Sequence, residues 1–263
     1  MSDALNDLID RASKQAREAR PQRPALIGVG GAQGAGKSYL CASYAQSRPA
    51  VAHFSLDDVY RTKANRVVLA HGVHPLLITR GPPGTHDLPL AARTIDRLAS
   101  AKAGGQKPMP AFEKRADNRA PESLWPIHEG ACETILVDGW CMGARASSME
   151  PPINTLEKES DADGKWRRMT QRLLETDYNA FFSRFDAMIY LQAPSWEIVR
   201  TWRGQQEAEL LGRALTPEEN AALDRFVMHY ERITRAMLSG HHSARWIVHL
   251  DKNRKVTRIE ERK

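Results

Sequence analysis

Five short apolar runs punctuate the chain, at residues 25–29, 51–56, 134–137, 187–191 and 246–250, each bounded by turn-forming or polar positions. Runs of this length predict buried strands. Between them apolar residues recur at three- and four-residue spacing, which predicts helices over 38–45, 88–101, 166–182, 195–211 and 217–238. Residues 2–19 predict another, an exposed amphipathic helix with Leu5, Leu8, Ile9 and Ala12 on one face, ended by the stretch from Pro21 to Pro24. Strands alternating with helices imply βαβ crossovers and a parallel sheet covered on both faces. Residues 104–130 break the rhythm: they are polar, carry Pro108, Pro110, Pro121 and Pro126, and are long for a loop. Loops of that length are more often functional than accidental.

Composition narrows the class. The chain has 263 residues, 41 % hydrophobic and 27 % charged, which suits a globular core and argues against global disorder. No apolar run approaches the roughly 18 residues needed to cross a bilayer, so no membrane partner is expected. Cys41, Cys132 and Cys141 form no CxxC pair, and Asp3, Asp7 and Asp10 interrupt the N-terminal apolar residues where a secretory leader would need continuity. Both features suggest a reducing, cytoplasmic home. A net charge of +6 invites a nucleic-acid partner, but the basic residues are scattered with no run of five. The expectation is therefore no nucleic acid, with the surplus equally suited to phosphorylated small molecules.

The strongest chemical signal follows the first strand. Gly31, Ala32, Gln33, Gly34, Ala35, Gly36, Lys37 and Ser38 match G-x4-G-K-[ST] between a strand and a helix. Glycines let backbone N–H groups turn around a phosphate, and the helix N-terminus adds partial positive charge. Lys37 is then expected to bridge the outer phosphates of ATP and the Ser38 hydroxyl to ligate Mg²⁺, with Tyr39 also counted among the nucleotide-binding residues. No N-K-x-D segment accompanies this loop, which argues against a GTPase, and the D-x-x-G of Asp161 to Gly164 lies in a polar turn.

Two strand-end acids complete the pattern. Ser55-Leu56-Asp57-Asp58-Val59-Tyr60 closes the second strand, and parallel sheets place ligands beyond the carboxyl ends of their strands. Asp57 is thereby a candidate general base for an attacking hydroxyl, although one of the paired acids could instead cap a short helix over 59–66. Asp138, ending the apolar strand Thr134-Ile135-Leu136-Val137, has the form of a second Mg²⁺ ligand. An anionic acceptor would need a cation, for which Arg80, Arg115 and Arg119 are candidates. His86 and Asp87 are candidates to bond its hydroxyls, Asp87 alternatively capping the next helix.

These motifs together resemble the D-glycerate 3-kinase family, the plant-type glycerate kinases within the wider uridine kinase, phosphoribulokinase and pantothenate kinase group. Beyond the loop and S-x-D-D-x-Y, the resemblance includes Arg80 to Asp87 (R-G-P-P-G-T-H-D), the segment from Pro110 to Pro126 with Lys114, Arg115, Asp117, Arg119 and Trp125, the D-G-W-x-x-G of Asp138 to Gly143, and Trp202 to Glu207. Val59 stands where family members often have Phe, and Asp138 where many of the wider group have Glu. The resemblance implies an α/β P-loop NTPase fold: three layers, a mostly parallel five-stranded sheet, an N-terminal helical extension over 1–22 and one kinase domain over 23–263. Within that domain it implies a substrate-side insertion over 104–130 and a helical lid over about 195–215. It further implies phosphorylation of D-glycerate by ATP and Mg²⁺, with Asp57 as base, Lys37 neutralising charge, Arg203 and Arg200 over the phosphates, and Tyr60 near the acceptor. Another small hydroxyl acceptor, or a nucleotide-binding regulator without transfer, remains open at this stage.

Overall fold

The computed structural model describes residues 2–147 and 151–262, so the outermost ends of the two expected units, residues 1 and 263, lie outside it. In chain order the elements are α1 (Ser2–Ala19), β1 (Ala25–Gly31), α2 (Lys37–Gln46), β2 (Val51–Ser55), α3 (Lys63–Gly72), α4 (Leu88–Ala99), β3 (Gln106–Pro108), β4 (Phe112–Glu113), β5 (Asn118–Arg119), β6 (Ile127–Glu129) and β7 (Thr134–Gly139). They continue with α5 (Thr155–Ser160), α6 (Lys165–Leu173), α7 (Asn179–Phe182), β8 (Ala187–Gln192), α8 (Trp196–Leu211), α9 (Pro217–Leu238), β9 (Trp246–Leu250) and β10 (Val256–Glu261).

The main sheet runs β10-β9-β8-β1-β7-β2. Its five parallel strands are those the apolar runs predict. β1 and β7 are buried along their whole length, which is why they read as unbroken apolar runs rather than as alternation. A sixth strand, β10, corrects the expected count: it returns antiparallel on β9 at the sheet edge. Its sequence, Val-Thr-Arg-Ile-Glu-Glu, is charged because an edge strand facing water is protected from pairing with other chains by charge. That charge is what hid it from the pattern.

Each strand divides its side chains between two cores. Ile27, Val29, Ile189, Leu191 and Val248 pack with α1, α2 and α8 on one face. Leu26, Ile135, Val137, Tyr190 and Ile247 pack with α4, α7 and α9 on the other. The first helix is accordingly not an exposed appendage. Leu5, Leu8 and Ile9 are each no more than 2 % exposed, in one cluster with β1. Its charged face alone meets water.

Three further departures bear on the site. The helix expected over 166–182 contains a wider π turn at Leu174–Tyr178 between α6 and α7. That turn carries Tyr178 to the side chains described below. The segment 104–130 is two short antiparallel ribbons, β3 with β6 and β4 with β5. Finally, the short helix after β2 is a 3-10 turn at Leu56–Val59, not a helix over 59–66.

Because β1 leads to β2 on one side and lies beside β8 on the other, the loop after β1 opens at a reversal of strand order, where open α/β sheets bind ligands. The packing of α1 makes a stability prediction. Ile9→Ala is expected to cost about 2–5 kcal/mol in urea unfolding, the range for truncating a buried aliphatic chain, while Asp7→Ala on the exposed face stays within about 0.5 kcal/mol.

Candidate active site

β1 ends in the loop, and the glycines do specific work there. Gly34 has φ +75°, and a Cβ at this position would stand 2.6 Å from Cβ of Trp202 on α8. Only glycine permits both the left-handed turn and that approach. Lys37, buried at the start of α2, turns its Nζ back into the loop and donates to the carbonyl of Ala32 at 3.0 Å. Burial pushes the lysine's pKa down, and Asp138 and then Asp57 oppose the shift, so both acids act on this ammonium.

Asp138 is 1 % exposed and held at both oxygens. Ser38 Oγ donates to its Oδ2 at 2.7 Å, and His53 Nε2 lies 2.8 Å from its Oδ1. A carboxylate only accepts, so the His53 proton sits on Nε2. The register explains the meeting: β7 lies between β1 and β2, with Asp138 level with Val29 on one side and Ser55 on the other. Ser38 Oγ and Asp138 Oδ2 thus form adjacent hard-oxygen donors, a chemistry that fits Mg²⁺. No cluster of three or more His, Cys, Asp or Glu side chains suited to a metal occurs among the described residues.

The two adjacent acids after β2 have separate tasks. Ser55 Oγ accepts the N–H of Asp57 at 3.2 Å, while Asp58 Oδ2 accepts the N–H of Ser55 at 2.8 Å. Asp58 therefore closes the cap. Asp57 keeps its carboxylate free of it: Oδ1 accepts the Tyr60 hydroxyl at 2.8 Å, and Oδ2 lies 3.9 Å from Lys114 Nζ.

Around Tyr60 the other expected residues are mostly engaged. Its ring stacks on His86 with centroids 4.7 Å apart. His86 is buried, its Nδ1 2.6 Å from the Tyr178 hydroxyl, and burial lowers its pKa to about 3. Asp87 caps α4 by accepting the Leu90 N–H at 3.0 Å and also takes Arg119 at 3.1 Å. Arg119 reaches the Tyr60 carbonyl at 2.9 Å. Arg80 donates to Asp117 at 2.5 Å, and Arg66, itself 1 % exposed, lies 2.9 Å from the same carboxylate. Arg80 is thus spent on the neighbouring ribbon, and Arg119, itself on β5, on Asp87 and the Tyr60 carbonyl. Arg115, at the exposed turn between β4 and β5, has no hydrogen bond or ion pair among the described residues.

A cavity of about 360 Å³ lies over the loop, bounded by Lys37, Ser38 and the exposed Tyr39 on one side and by Gln206, Glu209 and Arg254 on the other. Arg254, in the turn between β9 and β10, has φ +62° and donates to the Gly34 carbonyl at 2.6 Å. Of the expected lid arginines, Arg203 pairs with Glu207 and lies over Phe226, and Arg200 pairs with Asp224 and bonds Asn220 at 3.1 Å. The Tyr230 hydroxyl donates to the Arg80 carbonyl at 2.8 Å, and burial, then Asp57, raise its pKa against the opposing charges of Arg80 and Arg203. Arg200 does not line the cavity.

His53, Tyr230, Gln206 and Arg254 escape a motif-based reading, and the Pro110 to Pro126 motif includes Lys114 without giving it a role. A signal existed only for His53, which shares strand parity with Ser55 and so shares its face. The D-x-x-G acid Asp161 is structural: it accepts the N–H groups of Trp166 and Arg167 at 2.7 and 3.1 Å. No helix among the described residues is long and apolar enough to cross a membrane.

Asp58 makes a pH prediction. Burial raises its pKa from 3.8 to about 6, so the folded chain holds this proton more tightly than the unfolded one. Its contribution favours folding below about pH 4 and is lost as pH rises through 6. Asp58→Asn keeps an oxygen for the Ser55 N–H and is expected to remove that component from urea midpoints measured between pH 4 and 7. Parallel curves for the two proteins would exclude Asp58 as its source.

No family model matches the chain. In sequence it is 27 % identical over 245 residues to the uncharacterized kinase mug58 of Schizosaccharomyces pombe, covering 86 % of each. It is 26 % identical over 224 residues to the chloroplastic D-glycerate 3-kinase of Arabidopsis thaliana, covering 79 % of this chain and 46 % of that one, so it spans about half that relative's length. In structure it resembles the D-glycerate 3-kinase of Cryptococcus neoformans var. grubii, with TM-score 0.76, 21 % identity and 98 % of both chains covered. It also resembles a putative fructose transport system kinase from Silicibacter sp., with TM-score 0.59, 19 % identity, and 91 % and 96 % covered. At these identities the structural likenesses speak for the fold, and the sequence matches add the kinship: the chain is a P-loop small-molecule kinase related to the D-glycerate 3-kinases.

Proposed function

We propose that this chain transfers the γ-phosphoryl group of ATP to the 3-hydroxyl of D-glycerate, giving 3-phospho-D-glycerate and ADP. The observation that carries the reading is the free carboxylate of Asp57, released from capping by Asp58 and placed within electrostatic reach of Lys37. As the acceptor oxygen attacks phosphorus and the bond to the ADP oxygen breaks, Asp57 takes the acceptor's proton. The Tyr60 hydroxyl fixes one oxygen of Asp57 and leaves the other facing Lys114. Lys37 offsets charge on the outer phosphates, and Gly31, Ala32, Gln33, Gly34, Ala35 and Gly36 supply the backbone around them. Ser38 and Asp138 would hold Mg²⁺, which when bound spreads the negative charge of the triphosphate.

For the acceptor carboxylate the reading assigns Arg115 with Lys114, two cations on one turn, Arg115 without a partner among the described residues and Lys114 3.9 Å from Asp57. Arg80, Arg119, His86 and Asp87 then act as its support, setting the ribbon and the Tyr60 ring in place. In this reading α8 is the lid: Arg203 exchanges Glu207 for the transferring group, and Arg200 steadies the helix against α9. The chain is treated as one kinase domain in the cytoplasm, where its three free cysteines stay reduced.

Coupled ADP release tests the assignment. D-glycerate is expected to support turnover and uridine or pantothenate not to, with NMR placing the new phosphate on the 3-oxygen. Lys37→Ala and Asp57→Asn should each lower kcat by about 10²–10⁴-fold, Asp57→Asn leaving the ATP KM within about threefold. Full glycerate-dependent turnover in Asp57→Asn would remove the base assignment. Arg115→Ala is expected to raise the glycerate KM by about tenfold or more, the loss of a charged hydrogen bond, with the ATP KM little changed. Equal effects on both would overturn the clamp.

A further inference from the structure

A second cavity, about 820 Å³ against about 360 Å³ over the loop, lies where β8 and β9 begin and β10 ends, remote from the carboxyl ends of the parallel strands. Three guanidinium groups line it, those of Arg145, Arg245 and Arg262, with one acid, Glu261. Glu261 is taken by Arg245 at 2.7 Å, and among the described residues the Arg262 guanidinium has one distant partner, Glu260 at 3.8 Å. The Arg145 side chain has no hydrogen bond or ion pair among the described residues.

Beneath these cations sits His242, 3 % exposed and packed at a tilt against Tyr190 with ring centroids 4.5 Å apart. Its Nδ1 accepts the N–H of Ala244 at 3.1 Å, which leaves the ring proton on Nε2. That Nε2 has no partner among the described residues. Burial, then Arg262 and Arg145, lower its pKa to about 4, so near neutral pH it is an uncharged donor. A buried donor without an acceptor is unfavourable, and an anion's oxygen would satisfy it. The residues lining the cavity therefore include three guanidiniums, a single carboxylate already paired, and a buried imidazole whose Nε2 N–H lacks an acceptor.

We infer that this cavity is a binding site for a small multivalent oxyanion, a phosphoryl group or a polycarboxylate, gripped by Arg145 and Arg262 and bonded by His242 Nε2. Arginine forks match the oxygens of such anions, and a chain-wide attraction alone would not need the buried histidine. The site joins two stretches of the fold. Arg145 lies in the segment that leaves β7 after Asp138, and Arg262 closes the edge strand β10. An anion held by both ties the segment behind the catalytic strand to the sheet edge. This inference stands apart from the acceptor assignment above.

The test uses the full chain with ¹⁵N-labelled histidine, titrated separately with inorganic phosphate and with citrate at ionic strength held constant with chloride. His242→Gln identifies the His242 signals. One or both anions are expected to shift the His242 Nε2 resonance saturably, and Arg145→Ala with Arg262→Ala to weaken that binding at least tenfold at unchanged Tm. Arg145→Ala alone, at an exposed position, should weaken it several-fold and guards against loss of fold in the double variant. Response to phosphate alone names a phosphorylated ligand, and response to citrate alone a polycarboxylate. An unmoved resonance overturns the site, as does a shift equal with chloride or equal in the arginine variants, which would mean ionic strength only.

Discussion

A carboxylate sealed from water must have donors for its charge, and the way Asp138 obtains them arranges the phosphate end of the molecule. Its two oxygens take Ser38 from the start of α2 and His53 from β2. One buried group thereby ties the loop helix to two strands. Removing either donor leaves a buried carboxylate short of a partner, so these positions are coupled in stability as well as in geometry. The order β1-β7-β2 is what makes the coupling possible, because it puts the acid between the loop strand and the base strand. Lys37, sharing the field of Asp138 and Asp57, is held at their junction.

Where one force acted locally, the sequence disclosed its result. Burial on both faces wrote β1, β7 and β8 as apolar runs, and the glycine pattern marked the loop because backbone turned toward phosphate tolerates little else. β10 and the ribbons within 104–130 were invisible because short edge strands owe little to apolar pattern and much to the strands they meet. The π turn at Leu174–Tyr178 was equally hidden: its consequence, Tyr178 against His86 and Gly84, depends on a segment some 90 residues away.

The candidate site shows the same division. Its motif residues could be named one by one, but whether a named residue is free to act depends on who pairs with it. Arg80, Arg115 and Arg119 are equivalent as letters. In the fold, Asp117 and Asp87 claim two of them, and the third, on the same turn as Asp117, makes no hydrogen bond or ion pair among the described residues. Those claims are useful in themselves, since Asp117 fastens Arg66 and Arg80 together and so fixes the ribbon that carries Lys114 and Arg115.

The paired acids after β2 carry this reasoning to the chemistry. A 3-10 turn of four residues has orphan N–H groups at its start, and the side chain that returns to close them is selected by geometry, not by acidity. At this turn the return falls to Asp58, the third residue after Ser55's own cap begins. Asp57, one position earlier, projects away from the cap axis toward Tyr60 and Lys114. Inserting or deleting one residue between Ser55 and Tyr60 would exchange or abolish these tasks without altering the count of carboxylates. The spacing from strand end to acid is thus itself a chemical determinant: it decides which oxygen is used to hold the fold and which is left to accept a proton.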